Sequence, residues 1–211
     1  MLDPSVYPDS FARDHLPPEN LWPEMAEAVR SFGYPKRINA AVELVDAMAK
    51  KGLGARPCIR SADGSVWTYT ELAEQSNRIA NVLVREMGLK PGNRVLLRAA
   101  NNRMLAACWF AVLKAGGIAV TTMPLLRARE LAYIIEKAQV TLALCAAGLV
   151  EELEAARKGA PVLRAIACFD TADPSGLEAR MRAQPADFAP VIPSHDDVAL
   201  IAFTSGMAMP K

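Results

Sequence analysis

From residue 94 onward, short runs of apolar residues alternate with segments whose apolar residues recur every three or four positions, and this alternation limits what the chain can fold into. Continuous apolar runs are typical of strands that are buried on both faces of a sheet. The intervening segments have the period of amphipathic helices. Together they predict an α/β fold, with layered, mostly parallel sheets flanked by helices on both faces. The predicted strands are 94–99, 118–122, 140–145, 163–169 and 198–203, and the predicted helices between them are 104–115, 129–137, 149–157 and 177–181.

The preceding part of the chain predicts a hairpin followed by a helix. Residues 57–60 and 66–68 flank a turn of Ala, Asp, Gly and Ser, which favours an antiparallel pair of strands. Thr68 and Glu71 have the spacing of a capping box, so a helix is expected to begin there. Its buried face is predicted to carry Leu72, Ser76, Ile79, Leu83 and Met87, and it is expected to end at Gly88.

Residues 1–37 contain six of the fifteen prolines, which predicts an irregular arm with at most short helices. Its aromatic residues, Phe11, Trp22, Phe32 and Tyr34, are expected to pack onto the body of the protein. Residues 39–50 predict a first helix, with one buried face formed by Ala40, Leu44, Ala47 and Met48. The chain is therefore divided into an arm with this helix, residues 1–50, and an α/β portion, residues 51–211.

The formal net charge of +1 and the absence of a basic run argue against nucleic acid and membrane surfaces as partners. Residues 104–126 are apolar enough to suggest a membrane span, but Lys114 and the Gly116-Gly117 pair favour a helix, a turn and a strand. The amino terminus lacks the features of a signal peptide, so the protein is expected to be cytoplasmic.

The four cysteines do not form a CxxC pair and the chain has two histidines, so neither a metal site nor a disulfide framework is predicted. Buried structural thiols are the expectation for Cys58, Cys108, Cys145 and Cys168.

Ligands of open parallel sheets bind beyond the carboxyl ends of the strands, which draws attention to the segment after the last predicted strand. This segment, residues 204–211, reads Thr-Ser-Gly-Met-Ala-Met-Pro-Lys. Hydroxyls and free amides donate to phosphate oxygens, and a lysine balances their charge. Thr204, Ser205, Gly206 and Lys211 are therefore the candidate ATP phosphate-binding residues. Local chemistry alone favours the alternative of a simple polar turn.

Other catalytic signatures are absent from the sequence. It contains no GxxxxGK[ST] motif, and Ser205 is not part of a GxSxG motif. Gly52 and Gly54 lack the third glycine of a dinucleotide site, which argues against a dehydrogenase-like enzyme. Glu151 and Glu152 stand at a predicted helix start, where the helix dipole accounts for them.

The motifs of the chain, taken together, resemble the AMP-forming acyl-CoA synthetases, also called adenylate-forming enzymes. The shared motifs, in the order of that family, are Thr68-Tyr69-Thr70-Glu71-Leu72, Ser76-Asn77-Arg78-Ile79-Ala80, Gly92-Asn93-Arg94-Val95, Leu113-Lys114-Ala115-Gly116 and Phe203-Thr204-Ser205-Gly206. A narrower resemblance to 2-aminobenzoate– and benzoate–CoA ligases comes from Phe11-Ala12-Arg13-Asp14, Leu16-Pro17-Pro18, Tyr34-Pro35 and residues 123–131, Met-Pro-Leu-Leu-Arg-Ala-Arg-Glu-Leu.

The resemblance implies that the chain is the amino-terminal part of a large adenylation domain. The implied reaction has two steps: a carboxylate attacks ATP to give an acyl-adenylate and pyrophosphate, and the thiol of coenzyme A then displaces AMP. It also implies ATP, Mg²⁺ and coenzyme A as partners of the complete enzyme, with an aromatic or other small carboxylic acid as substrate. The family's remaining contacts to adenine, ribose and substrate would come from sequence beyond Lys211, so this chain is expected to be inactive alone, and no catalytic residue is assigned to it.

The phosphate segment departs from the family pattern. That pattern has two hydroxyl residues, a glycine and a variable residue between Thr-Ser-Gly and Pro-Lys, whereas this chain has the shorter Met207-Ala208-Met209. The change removes two hydroxyl donors and a flexible glycine, which puts phosphate binding in question. A non-catalytic interaction or nucleotide-binding module derived from the same fold is therefore the alternative to a ligase fragment.

Overall fold

The computed structural model describes residues 2–22 and 32–203. Its central element is a five-stranded parallel sheet in the order β6-β5-β3-β4-β7, and a separate antiparallel hairpin pairs β1 with β2. The strands are β1 Pro57–Arg60, β2 Val66–Thr68, β3 Arg94–Arg98, β4 Ile118–Thr122, β5 Val140–Ala146, β6 Ala165–Phe169 and β7 Leu200–Ile201. The α/β fold predicted from the alternation is confirmed.

Helices cover both faces of the sheet. They are α1 Phe11–Asp14, α2 residues 40–53, α3 Tyr69–Asn81 with a π-type continuation Val82–Glu86, α4 Arg103–Lys114, α5 Ala128–Lys137, α6 Val150–Gly159 and α7 Leu177–Arg182. Short 3₁₀ turns occur at Glu19–Leu21 and Ala147–Leu149. None of the helices in the described ranges is long and apolar enough to cross a membrane.

Side chains alternate between the two faces of the sheet, and each face forms a separate hydrophobic core. Val95 and Leu97 of β3 lie in the core formed with α3, α4 and α7, whereas Leu96 between them lies in the core formed with α5 and α6. Because β3 is in the middle of the sheet, all five of its residues are buried. The apolar run at residues 95–97 is explained by this position.

Helix α3 begins as the sequence predicts. Thr68 accepts a hydrogen bond from the amide of Glu71, and the Glu71 carboxylate accepts one from the amide of Thr68 at 2.7 Å. The predicted face of α3, from Leu72 to Met87, is buried, and Gly88 ends the helix in a left-handed conformation with φ of 70°.

The segment predicted as a helix, turn and strand around Lys114 is α4 and β4. The ammonium of Lys114 is fully buried and donates to the Asp46 carboxylate at 2.6 Å and to the Asn77 side-chain oxygen at 2.7 Å. Lys114 is therefore buried together with polar partners, and Trp109 and Phe110 of the same helix pack against the core.

Two sequence predictions of local structure are wrong. Helix α2 buries Ala41 and Val45, not the predicted face, and Leu44 is 57% exposed. The π-type turns Val42–Asp46 and Ala49–Leu53 widen the helix, so a period of 3.6 does not select its buried side. The last strand was expected over residues 198–203, but only Leu200–Ile201 is a strand, at the edge of the sheet beside β4.

The arm is described over residues 2–22 and 32–37 and is irregular as predicted. Its first part, residues 2–22, packs along the amino-terminal edge of the sheet. Phe11 lies against the guanidinium of Arg94, 4.6 Å from its ring centre, and the Asp9 carboxylate forms an ion pair with the same group. Further along, however, Phe32 and Tyr34 are largely exposed, which contradicts the expectation that these two rings pack onto the body. The boundary at residue 50 stays a prediction.

Gly92 is required where the arm meets the sheet. Its φ is 89°, and a Cβ atom there would lie 2.3 Å from the carbonyl oxygen of Asp9. We expect Gly92→Ala to destabilise the protein by about 3 kcal/mol, because backbone strain adds to a clash that displaces the arm. The matched control is Gly64→Ala, since Gly64 has a similar φ of 82° but open space around it. Gly64→Ala is expected to lower the free energy of unfolding, measured with urea, by only about 1 kcal/mol. Equal decreases for the two variants would contradict the proposed clash.

Asp9 of the arm also makes the stability of the protein depend on pH. Burial alone would raise the pKa of Asp9, but hydrogen bonds from Arg94, the Phe11 amide and Asn93 outweigh it, so the pKa is lowered from its ordinary 3.8. A lowered folded-state pKa contributes stability that is present above pH 3.8 and is lost as the pH falls through the folded value. At pH values below 4, we therefore expect the free energy of unfolding of the wild type to decrease more steeply with falling pH than that of Asp9→Asn. Urea titration of both proteins at each pH measures this difference. Parallel curves of the two free energies against pH would contradict it.

Candidate functional site

The carboxyl-terminal edge of the sheet has the geometry of a ligand crevice. Strands β3 and β5 are neighbours, but the chain leaves β3 for α4 on one face and leaves β5 for α6 on the other. The two connections therefore diverge and leave an opening between them, which is where ligands bind in open α/β sheets.

The connections at this edge are held by one buried side chain, Arg98, the last residue of β3. Only 1% of its surface is exposed. Its guanidinium donates to the carbonyl oxygen of Leu149 after β5, and to carbonyl oxygens in residues 123–126 after β4. The carbonyls after β4 are those of Met123 at 3.0 Å, Pro124 at 3.0 Å and Leu126 at 2.8 Å.

No carboxylate pairs with Arg98 among the described residues, and burial lowers the pKa of its guanidinium, although an arginine in a protein keeps its charge. The cation is stabilised by carbonyl dipoles from two loops, which places these loops at fixed positions relative to the strand. Met123 and Leu125 lie in the loop that Arg98 holds, yet their side chains are 62% and 80% exposed. The crevice therefore has a fixed, apolar rim beside β4.

The first turns of α5 and α6 meet at the same edge. The carboxylate of Glu152, in the first turn of α6, accepts hydrogen bonds from the Ala128 amide at 2.8 Å and from Arg127 at 2.9 Å. These bonds lower the pKa of Glu152. Glu152 stands at a helix start as the sequence indicates, but its carboxylate caps the neighbouring helix α5, a contact that the sequence does not reveal.

Asn102 joins β3 to β6 on the other side of the crevice. Its side-chain oxygen accepts a hydrogen bond from the Leu105 amide and so caps α4, while its amide nitrogen donates to the Asp170 carboxylate at 2.7 Å. Asp170 follows β6 with φ of 57°, a conformation that aspartate tolerates better than most residues. The crevice thus has polar groups on its β6 side.

The candidate phosphate residues Thr204, Ser205, Gly206 and Lys211 lie outside the described residues. The segment that leads to them is described: β7 runs parallel to β4, with Ile201 opposite Val120, and the ring of Phe203 lies 6.5 Å from that of Tyr133 on α5. Strand β7 therefore ends at the same edge as the crevice. The assignment of the four phosphate residues stays a prediction.

A cleft of about 570 Å³ lies at the opposite, amino-terminal edge of the sheet. Arm residues Phe11 and His15 form one side of it, and the end of α5 and β7 form the rest. Its lining contains no nucleophile paired with a base, so it does not define a catalytic centre.

One group of potential metal ligands occurs in the described part of the chain. Ligand atoms of Asp3, His195 and Asp196 lie within 4.8 Å of one another. Their contacts explain the group without an ion: the Asp3 amide donates to the Asp196 carboxylate at 2.7 Å, and the ammonium of Lys36 lies 3.7 Å from Asp3. This group attaches the arm to the loop before β7.

Comparisons with known proteins agree with this geometry. A model of the AMP-binding enzyme family matches residues 31–207, and the chain therefore belongs to that family. Among curated relatives, the crotonobetaine/carnitine–CoA ligases of Escherichia coli K12 and Shigella flexneri are 33% identical over 150 residues, which cover 66% of this chain. The chain spans only 28% to 29% of the length of those relatives.

Solved structures share the fold. The anthranilate CoA ligase AuaEII, in complex with anthranoyl-AMP, has a TM-score of 0.76 at 20% identity over 83% of this chain and 33% of its own. MatB of Rhodopseudomonas palustris with ATP bound has a TM-score of 0.69 at 26% identity, over 80% of this chain and 32% of its own. The described sheet is therefore that of the amino-terminal part of adenylate-forming enzymes.

Arg98 provides a direct test of how the rim of the crevice is held. We expect Arg98→Met to lower the free energy of unfolding by about 3 kcal/mol, because four partly buried carbonyls lose a charged donor. Under native conditions it should also speed tryptic cleavage after Arg127, at the end of the released loop. Arg157→Met is the matched control, since Arg157 bonds the carbonyls of Leu163 and Arg164 at the opposite edge. Equal cleavage after Arg127 in both variants would show that Arg98 does not hold the loop.

Proposed function

We propose that this chain is the amino-terminal part of an ATP-dependent ligase that activates a carboxylic acid as an acyl-adenylate and transfers the acyl group to coenzyme A. The match of residues 31–207 to the AMP-binding enzyme family carries the proposal. The parallel sheet supports it, because its crevice and the end of β7 share one edge.

In this proposal the segment after β7 receives the phosphates of ATP. Thr204 and Ser205 donate hydroxyl hydrogens to phosphate oxygens, Gly206 lets the backbone approach them, and Lys211 balances their charge. ATP supplies the leaving group: a carboxylate oxygen of the substrate attacks the α-phosphorus, and pyrophosphate departs. Mg²⁺ would accompany the phosphates as a bridging cation. Coenzyme A then attacks the acyl carbon through its thiol, and AMP leaves.

An aromatic acid is the substrate class we favour. The motifs that resemble aryl–CoA ligases include residues 123–131, and part of that motif is the apolar rim that Arg98 holds. The curated relatives act on crotonobetaine and carnitine, which are not aromatic, so a small aliphatic acid is the competing substrate class.

The isolated chain is proposed to be inactive. Positioning and charge stabilisation supply most of the rate in such group transfers. The described part of the chain contains no arrangement that orients both adenine and a carboxylate, and Met207 to Met209 replace hydroxyl and glycine residues of the family's loop. The alternative proposal is a module that binds nucleotide without turning it over, and it differs in predicting tight binding of ATP.

The two proposals are separated by two measurements on the purified 211-residue chain. We expect no exchange of labelled pyrophosphate into ATP with benzoate, 2-aminobenzoate or carnitine. Calorimetry with MgATP should give a dissociation constant of about 1 mM or higher, which is a binding free energy no stronger than about −4 kcal/mol. Ser205→Ala and Lys211→Ala should remove that residual heat. The matched control Lys158→Ala, on helix α6, should leave it unchanged.

Clear pyrophosphate exchange by the wild-type chain would show that it is a self-sufficient adenylating unit. Tight ATP binding without exchange would instead support the binding module. Preference among the three acids in any exchange observed would decide between the aromatic and aliphatic substrate classes.

A further inference from the structure

Two of the four cysteines, far apart in sequence, are direct neighbours in the sheet. Cys145 on β5 and Cys168 on β6 are register partners in the parallel pairing of these strands. Adjacent strands lie about 4.8 Å apart, so the Cα atoms of such partners are within the range that bridged cysteines occupy. Both residues are free thiols.

The two side chains point to the same face. Cys145 belongs to the core covered by α5 and α6, and Ile166, two residues before Cys168, packs against that core as well. Because side chains alternate along a strand, Cys168 shares that face. Burial raises the pKa of Cys145 to about 12, and the neighbouring Cys168 adds to this shift.

The pair has one accessible member and one buried member. Cys168 lies on β6, the edge strand of the sheet, and is half-buried, whereas Cys145 is fully buried behind it. The thiol of Cys145 is 3.3 Å from the carbonyl oxygen of Ala146, a weak bond that is easily given up. A reagent therefore reaches Cys168 first and Cys145 second. Cys58 on the hairpin and Cys108 in the opposite core are not part of this pair.

We propose that Cys145 and Cys168 form a dithiol site for a soft, thiophilic group that bridges two sulfurs, of the trivalent arsenic class. This site goes beyond the proposed ligase function. With phenylarsine oxide, two arsenic–sulfur bonds form, the arsenic–oxygen bond breaks, and the oxygen leaves as water with both thiol protons. No atom changes its oxidation state, so the step needs no further reagent.

The environment favours this condensation over a disulfide. Disulfide formation requires attack by a thiolate, and burial raises the pKa of both thiols above the ordinary value. In the condensation the thiol protons are consumed by the departing oxygen. A bridging group also holds both sulfurs at once, so its dissociation is slowed by the high effective concentration of the second thiol.

The site is tested by titrating the native chain with phenylarsine oxide and measuring the intact mass. We expect one bridging adduct per chain, which survives excess monothiol and is removed by a dithiol. Tryptic mapping of the wild-type adduct should recover the peptide that contains Cys145 joined to the peptide that contains Cys168. This mapping needs no variant, so misfolding cannot obscure it.

Variants then measure the contribution of each thiol. Cys145→Ser and Cys168→Ser should each weaken retention against monothiol at least about 100-fold, the usual gain from two-point attachment. Cys58→Ser and Cys108→Ser are the matched controls and should retain the adduct. An adduct joined through other cysteines would overturn the proposal. So would a native chain that takes up no bridging reagent.

Discussion

The buried guanidinium of Arg98 is the interaction on which the carboxyl-terminal edge of the protein depends. It ends the central strand and binds backbone carbonyls of two connections that belong to the core of α5 and α6. At the other end of the same strand, Arg94 has the same role: it donates to the carbonyls of Ala138 and Gln139 and to the Asp9 carboxylate. The most buried strand thus has a cation at each end, and the loops around it are positioned by these two charges.

Much of the fold was predictable because its determinants are local. Continuous apolar strands and periodic helices follow from the sequence alone, and the capping box of Thr68 and Glu71 fixes the start of α3. The predictions failed where the structure depends on contacts with other elements or on irregular helix geometry. Helix α2 is widened by π-type turns, which change the buried face, and β7 pairs with β4 over only two residues.

The crevice was predictable in position but not in its parts. The rule for open sheets directs attention to the strand ends, yet nothing marks Arg98 as different from a surface arginine at the end of a strand. The bond between Asn102 and Asp170, which are 68 residues apart, is equally invisible to periodicity. Cys145 and Cys168 become neighbours only through the register of β5 and β6. The phosphate assignment of Thr204, Ser205, Gly206 and Lys211 remains a prediction from the sequence pattern.

The attachment of the arm has a consequence for how the protein is made. Asp9 binds groups that are about 84 residues further along the chain, and the amide of Asp3 binds Asp196, 193 residues away. On a ribosome, the arm is therefore synthesised before all of these partners, and it finds its last described contact only when Asp196 has emerged. During that interval, which is on the order of ten seconds or more at ordinary translation rates, the amino-terminal edge of the sheet is uncovered and open to chaperones. The arm thus closes this edge of the sheet only after the residues that it binds there have been made.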